Sequence, residues 1–282
     1  MFSEMEKYKI LVPVDFSPYS VNALKNAVSL AKKTDSFISI VHAVMVPVVY
    51  GEDDMESSGW QAEEMEKGIK DNLESMTNLV PDLKDIDHEF KLEYALSPDA
   101  IITFTLQNEV DLIVMGTRGK NRKGRALFGS NTFAVINSVK CPVLAIPEDG
   151  NINDVKKIIL AVDYDEIPPY ASFEPLIKLA RLFGAQVNII HIGKEMKLTS
   201  EELLEARNLE QYFKTVKHQY KYLFGGDEEK TISTYLKNEN ARVLAIISKE
   251  HTMVEKLQHR SLTKKIVSHL KIPLLVLHEN SG

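Results

Sequence analysis

Lys9-Ile-Leu-Val-Pro-Val-Asp15 returns in the middle of the chain as Lys157-Ile-Ile-Leu-Ala-Val-Asp163, 148 residues later. Three further segments return in the same order: residues 38–42 as 187–191, 112–115 as 244–247, and 141–146 as 272–277. Four matches in order indicate an internal duplication. The sequence therefore predicts two related domains, residues 1–148 and 154–282, with a linker between them.

Apolar runs of strand length alternate with helical patterns in each half. Residues 10–14 form a continuous apolar run, which is typical of a strand buried on both faces. Residues 20–33 place their apolar side chains on one helical face. Ser97 is predicted as the N-cap of a further helix, and Thr199-Ser-Glu-Glu202 as a capping box. This alternation predicts an α/β fold of two tandem open-sheet domains, each a parallel sheet with helices on both faces.

Composition narrows the class of protein. The 282 residues carry a net charge of −6 and one cysteine, Cys141. An acidic chain has no overall field that draws it to nucleic acid. No apolar stretch approaches the roughly 18 residues of a membrane span. We therefore expect a cytoplasmic protein with no nucleic-acid and no membrane partner, and a reducing compartment fits the single cysteine.

Glycines mark the end of the fourth predicted strand of the first half. Gly116-Thr-Arg-Gly119 follows this strand, and Gly129-Ser130-Asn131 opens the next helix. Ligands of parallel sheets bind outside the carboxyl ends of the strands, and helix starts bind phosphate through free N–H groups. The intervening loop is basic. This combination predicts a phosphate site, although the Lys-Ser/Thr pair of a Walker A loop is absent.

Asp15 follows the first strand at the same edge of the sheet. Its carboxylate could accept hydrogen bonds from ribose hydroxyls, or it could cap the helix that begins beside Ser17-Pro18. The residues leave both roles open.

Residues 10–15, 111–119, 129–130 and 141–146 together resemble the universal stress protein family, and the resemblance runs over residues 7–147. The glycine motif of its ATP-binding branch is complete here. The resemblance implies five strands per sheet in the order 3-2-1-4-5, and ATP, with or without Mg²⁺, as the cofactor. It implies a binding site made of Pro13, Val14, Asp15, Val41, Met115, Gly116, Arg118, Gly119, Gly129, Ser130 and Asn131.

The second half departs from this motif, and we interpret it as a degenerate partner. When the two halves are aligned by their apolar runs, Ser248 stands in place of Gly116, His251 in place of Gly119 and Arg260 in place of Gly129. Three glycines of the motif are thus lost in the second half.

No residue is predicted to be catalytic or to bind a metal. His42 and His191 occupy equivalent strand ends, and their repetition in both halves favours a structural role. Isoleucine replaces Cys141 in the second half, which favours a buried apolar position over a reactive thiol.

The function predicted is a nucleotide-dependent stress-response regulator with an unidentified protein partner. A slow ATP hydrolase or nucleotidyl-transfer enzyme, and a scaffold with a vestigial site, are the alternatives. The fifth strands, residues 143–146 and 274–277, follow prolines and are short and apolar. They are expected to pair the domains within one chain, with a homodimer as the alternative.

Overall fold

The computed structural model describes residues 7–45, 55–118, 129–164, 167, 172–193, 198–224, 228–248 and 272–278. Strands and helices alternate along both halves. The strands of the first half are β1 Lys9–Pro13, β2 Phe37–Ala43, β3 His88–Glu93, β4 Leu112–Gly116 and β5 Val143–Ile146. Its helices are α1 Pro18–Thr34, α2 Met55–Leu79, α3 Ser97–Gln107 and α4 Ser130–Ser138.

The second half repeats the pattern. Its strands are β6 Lys157–Ala161, β7 Gln186–Gly193, β8 His218–Phe224, β9 Val243–Ile247 and β10 Leu274–Leu277. Its described helices are α5 Glu174–Phe183, α6 Ser200–Phe213 and α7 Glu228–Asn238.

All ten strands form one sheet in the order β3-β2-β1-β4-β5-β10-β9-β6-β7-β8. Pairing within each half is parallel, so each half has the predicted order 3-2-1-4-5. The expected α/β fold class is confirmed.

The two halves meet at their fifth strands. β5 and β10 pair antiparallel, with Leu275 opposite Leu144 and Val276 opposite Val143. The predicted pairing through the fifth strands is therefore confirmed. Each half alone would leave a short apolar edge strand, and the pairing satisfies the backbone groups of both edges at once.

Two apolar layers cover the sheet. One face packs against α1, the end of α2, α5 and α6, and includes Leu24, Leu144 and Leu275. The other face packs against α3, α4 and α7, and includes Ile113 and Val143. The chain therefore leaves β1 toward one face and β4 toward the other.

The stretch between the halves is docked on α1. Asn26 is buried; its amide nitrogen donates to Gly150 O at 3.2 Å and its amide oxygen accepts from Ile152 N at 2.9 Å. Asn22 donates to the carbonyls of Pro147 and Gly150, both at 2.9 Å. Ile152 is fully buried. The segment interpreted from sequence as a linker is a fixed connector, because its backbone is hydrogen-bonded to a helix of the first half.

Two helix starts can be compared with their predictions. Thr199 and Glu202 form the expected capping box, with Glu202 N donating to Thr199 Oγ1 at 3.1 Å. The prediction for Ser97 is wrong by one residue, since Leu96 is the N-cap and makes no side-chain cap bond. Leu96 O accepts from Ala100 N at 2.9 Å, which places the helix start one residue earlier.

Among the described residues, no helix combines the length and apolarity that crossing a membrane requires.

Candidate nucleotide site

A crevice is expected between β1 and β4, because the chain leaves these neighbouring strands toward opposite faces of the sheet. β1 continues into α1, and β4 leads toward α4, whose buried residues lie in the other apolar layer. The segments with the predicted site residues reach the carboxyl-end edge of the sheet here.

The end of β4 and the start of α4 are tied together. Gly129 N donates to Thr117 O at 2.7 Å, and Thr132 Oγ1 donates to Gly116 O at 2.9 Å. These bonds hold the two glycine segments of the motif side by side, although eleven residues lie between Thr117 and Gly129. The predicted convergence of strand end and helix start is present in the fold.

The first turn of α4 has the geometry of an anion site. Gly129 is its N-cap, with φ −66° and ψ 158°, and no side chain caps this turn in the described part of the chain. Ser130 and Asn131 are exposed. An uncapped helix start presents N–H donors and the positive end of the helix dipole to an anion.

Gly116 has a packing role that the sequence did not reveal. A Cβ at this position would lie 2.9 Å from both C and Cβ of Tyr19. The missing side chain therefore lets the first turn of α1 lie against the end of β4. Close approach of a helix, and not only of a phosphate, requires a glycine here.

Tyr19 is a residue at this edge that the sequence analysis missed. Its hydroxyl lies close enough to Glu148 and Arg118 for both side chains to affect its pKa. Burial raises the pKa of Tyr19, Glu148 adds to the rise, and Arg118 opposes it. Arg118, predicted to contact phosphate, is thus held beside the ends of β4 and β5. No motif signals this arrangement, which depends on three separate segments meeting.

Asp15 stabilises the turn that leads into α1. Its Oδ1 accepts from Ser17 N at 3.1 Å and from Ser17 Oγ at 2.6 Å. Ser17 itself is the N-cap and accepts from Ser20 N at 3.2 Å. Asp15 is therefore not the cap, but it orients the residue that is. A contact of its carboxylate with ribose stays a prediction.

The apolar members of the predicted site belong to the core. Val41 and Met115 are 1% and 5% exposed, in the layer covered by α3 and α4. Pro13 pairs with Val41, and Val14 N donates to Val41 O at 2.8 Å. This burial leaves little side-chain surface at Val41 for a base. Gly119 and the basic loop of residues 120–125 lie outside the described residues.

His42 and His191 fasten equivalent backbone turns. His42 Nδ1 lies 2.8 Å from Val14 O, and His191 Nδ1 lies 3.2 Å from Val162 O. Each ring therefore contacts the carbonyl of the residue just past the first strand of its half. The structural interpretation of both histidines is supported by this repeated contact.

The corresponding edge of the second half is filled by side chains. The ring of His191 stacks between Tyr164 and Tyr222, with centroids 4.6 and 5.5 Å away. Its Nε2 lies 3.2 Å from Glu202 Oε1, and both residues are buried. The Tyr222 hydroxyl lies against Gly193, where an added Cβ would overlap the end of the tyrosine side chain. The first half has the equivalent of the Tyr164 contact, since Phe16 and His42 have ring centroids 4.6 Å apart, and the second half differs by the additional ring of Tyr222.

The strand register corrects the alignment of the two halves. Gly116 pairs with Ile146, and Ile247 pairs with Leu277 at the equivalent position. Ile247, and not Ser248, therefore replaces Gly116, and residues 112–115 correspond to 243–246. Apolar runs without a turn residue align equally well one position apart, so the slip was invisible in the sequence. His251 and Arg260 lie outside the described residues.

Within the described part of the chain, no three His, Cys, Asp or Glu residues are grouped to hold a metal ion. Burial raises the pKa of Cys141 to about 12, so its thiol is protonated at neutral pH.

The fold and site define an α/β protein with a topological switch point between β1 and β4 and a helix start without a side-chain cap beside it. The family model for the universal stress protein family matches residues 8–147. A universal stress protein of Methanocaldococcus jannaschii is 30% identical over 141 residues, 49% of this chain and 81% of that protein. A putative universal stress protein of Staphylococcus epidermidis is 35% identical over 158 residues, 51% and 90% of the two chains. The chain belongs to the universal stress protein family.

Solved structures share the fold over the whole length. A universal stress protein from Archaeoglobus fulgidus has a TM-score of 0.67 at 18% identity and covers 98% of both chains. A protein of unknown function from Pseudomonas aeruginosa has a TM-score of 0.59 at 15% identity, covering 97% of this chain and 93% of its own. At these identities the likeness concerns the fold alone.

Proposed function

We propose that this chain is an ATP-binding universal stress protein whose first half holds one nucleotide and acts as a nucleotide-dependent regulator in the stress response. The observation that carries the proposal is the tie between Thr117 and Gly129, which holds an uncapped helix start over the end of β4. The proposed site comprises Pro13, Val14, Asp15, Val41, Met115, Gly116, Arg118, Gly119, Gly129, Ser130 and Asn131.

Three features support placing the triphosphate at α4. The helix start offers N–H donors, Arg118 lies at the neighbouring strand end, and the sequence of residues 120–125 adds further cations without an acid. Charge-assisted bonds to phosphate are about twice as strong as neutral ones. The sequence of the second half carries His251 and Arg260 in place of Gly119 and Gly129, so we propose one ATP per chain.

We also propose residues 1–148 and 154–282 as the two domains, and the cytoplasm as the compartment, which the single cysteine favours. The proposed regulatory role also includes a protein partner whose binding depends on whether this chain holds ATP.

Titration calorimetry with ATP, with and without Mg²⁺, tests the site. We expect one equivalent of ATP per chain. Gly129→Arg should weaken binding by at least about 100-fold, because the side chain enters the phosphate space and costs two or more charge-assisted bonds. Ser138→Arg, at the exposed far end of α4, is the matched control.

Ser130→Asp is a second test of the proposed phosphate site at the start of α4. An acid in the first turn stabilises a helix through its dipole but repels a phosphate at that position. We expect a slightly higher midpoint of thermal unfolding together with weaker ATP binding, so that loss of binding cannot be ascribed to unfolding. Unchanged ATP affinity in both Gly129→Arg and Ser130→Asp would remove α4 from the site.

A single-turnover assay with labelled ATP separates the remaining functions. A regulator binds ATP and releases it intact or nearly so. Stoichiometric product would favour the hydrolase or nucleotidyl-transfer alternative, and absence of binding would favour the scaffold with a vestigial site.

A further inference from the structure

A cavity of about 450 Å³ lies over the junction of the two halves, between α1 and α5. We call it the junction slot. It is lined by Tyr8, Leu30, Thr34, Leu112, Leu144, Pro175, Lys178, Leu179, Arg181, Leu182 and Leu275. This size falls within the range of small-molecule sites, which are concentrated at domain interfaces.

The junction slot is mainly apolar. Beneath it Leu144 and Leu275 face each other across the antiparallel pair, and they are 0% and 2% exposed. The accessible apolar surface belongs to the half-buried side chains of Tyr8, Pro175 and Leu182, and a surface of this kind favours an apolar ligand.

The neutral polar groups of the lining are already satisfied by the protein. Thr34 Oγ1 donates to Leu30 O at 2.9 Å within α1. The Tyr8 hydroxyl donates to Asp111 O at 3.3 Å. A ligand inside the slot therefore gains little from polar groups along its length, and an alkyl chain suits the interior best.

The rim of the junction slot is positive. Lys178 and Arg181 lie three residues apart on α5 and are both exposed, and the described residues that line the slot include no acidic side chain. Lys178 Nζ lies 5.5 Å from the centroid of the Tyr8 ring, and Arg181 donates to Thr215 Oγ1 at 2.6 Å. Both cations are thus positioned at the mouth on the α5 side, where an anionic group would meet them.

We propose that the junction slot binds a medium-chain aliphatic carboxylate, with its alkyl chain against the half-buried side chains of Tyr8, Pro175 and Leu182 and its carboxylate at Lys178 and Arg181. This site is independent of the proposed nucleotide site, which lies at the carboxyl ends of β1 and β4. Its occupant would bridge the two halves on the face covered by α1 and α5.

A chain-length series tests the apolar part of this proposal on the full-length protein. Calorimetry with hexanoate, octanoate and decanoate, each below its micellar concentration, should give one site per chain. Affinity should rise by about fourfold per added methylene until the slot is full. No binding of decanoate at millimolar concentration, or more than one equivalent, would overturn the proposal.

Variants test the location and the charge. Lys178→Glu should weaken decanoate on the order of tenfold and leave decanol unchanged, because only the carboxylate meets the rim. Lys25→Glu is the matched charge reversal on exposed α1 surface outside the slot.

Leu182→Trp, at the half-buried wall, should block both ligands. Equal effects of Lys178→Glu and Lys25→Glu, or unchanged decanoate affinity in Leu182→Trp, would place the ligand elsewhere. ATP titrations of the same variants keep this result separate from the nucleotide site.

Discussion

At the scale of single residues, Gly116 is needed for the packing of α1 in the first half and also belongs to the proposed nucleotide site. The first turn of α1 lies where a side chain at residue 116 would be. In the second half Ile247 occupies this position, and α5 begins only at Glu174 and has 10 residues against 17 in α1. A side chain at the end of the fourth strand is compatible with a helix that starts later and farther from that strand.

Gly116→Ala should lower the free energy of unfolding by about 1–3 kcal/mol, since the added methyl group overlaps backbone of Tyr19 that cannot move freely. Gly68→Ala is the matched control within α2, where a Cβ would meet nothing within 4 Å. That change should raise the stability by about 0.5–1 kcal/mol through helix propensity. Urea unfolding of both variants measures the difference, and equal effects would contradict the packing role of Gly116.

At the scale of elements, α1 organises the first half and the connector together. Ser17 is the N-cap of α1, and Leu24 and Ala27 are buried where the helix packs on the sheet. On the same helix, Asn22 and Asn26 are hydrogen-bonded to the backbone of the connector. A polar residue on the buried side of a helix is expensive unless it is hydrogen-bonded, and Asn26 meets this condition with connector backbone.

Asn26→Leu should destabilise the protein by about 2–4 kcal/mol, because Ile152 N and Gly150 O lose a partner while they stay buried. Ser29→Ala, on the same helix, removes only an exposed bond to Asn153 and should cost under about 0.5 kcal/mol. Denaturant unfolding compares the two. A cost for Asn26→Leu no larger than that of Ser29→Ala would show that the connector is not anchored through α1.

At the scale of the whole molecule, the β5–β10 pair converts two open sheets into one of ten strands. The pair is short, four residues on each side, and is buried under both apolar layers. Its position at the centre makes it the element on which the union of the halves depends.

Val143→Lys and Leu275→Lys each place a charge in this buried pair, one on either face of the sheet. We expect separate unfolding transitions in calorimetry and an expanded scattering profile, because an unpaired buried charge is destabilising and the pair can open to expose it. Phe224→Lys, on the far edge strand and 54% exposed, is the control. Variants that remain as compact and cooperative as the parent would exclude the fifth strands as the interface.

His278 gives the junction a predicted pH dependence. Its Nε2 lies 2.8 Å from Ile136 O in α4, which connects the end of β10 to the first half. Burial lowers the pKa of His278 below its ordinary value of 6.5. The unfolded chain therefore binds the proton more readily, and stability should fall as the pH drops through 6.5, levelling off below the folded pKa.

His278→Gln should flatten this acid-side loss of stability, whereas His88→Gln removes an exposed histidine and serves as the control. Thermal unfolding between pH 7.5 and pH 5 provides the measurement. If the unfolding midpoint of His278→Gln falls with pH as steeply as that of the parent, His278 is not the origin of the pH dependence.

The duplication, the α/β alternation, the strand segments and the glycine motif could all be predicted from the sequence. These depend on local apolar periodicity and on turn residues, which are readable along the chain. The pairing of the fifth strands was also predictable, because two short apolar edges in one chain leave few other partners.

The tertiary structure alone decided which residues share a neighbourhood across distant segments. It placed Tyr19 beside Gly116, Arg118 and Glu148, docked the connector on Asn26, and stacked Tyr164 and Tyr222 on His191. It also shifted the fourth-strand alignment by one residue and opened the junction slot. Such features depend on side chains meeting across helices and strands far apart in the chain, and local periodicity carries no information about those distances.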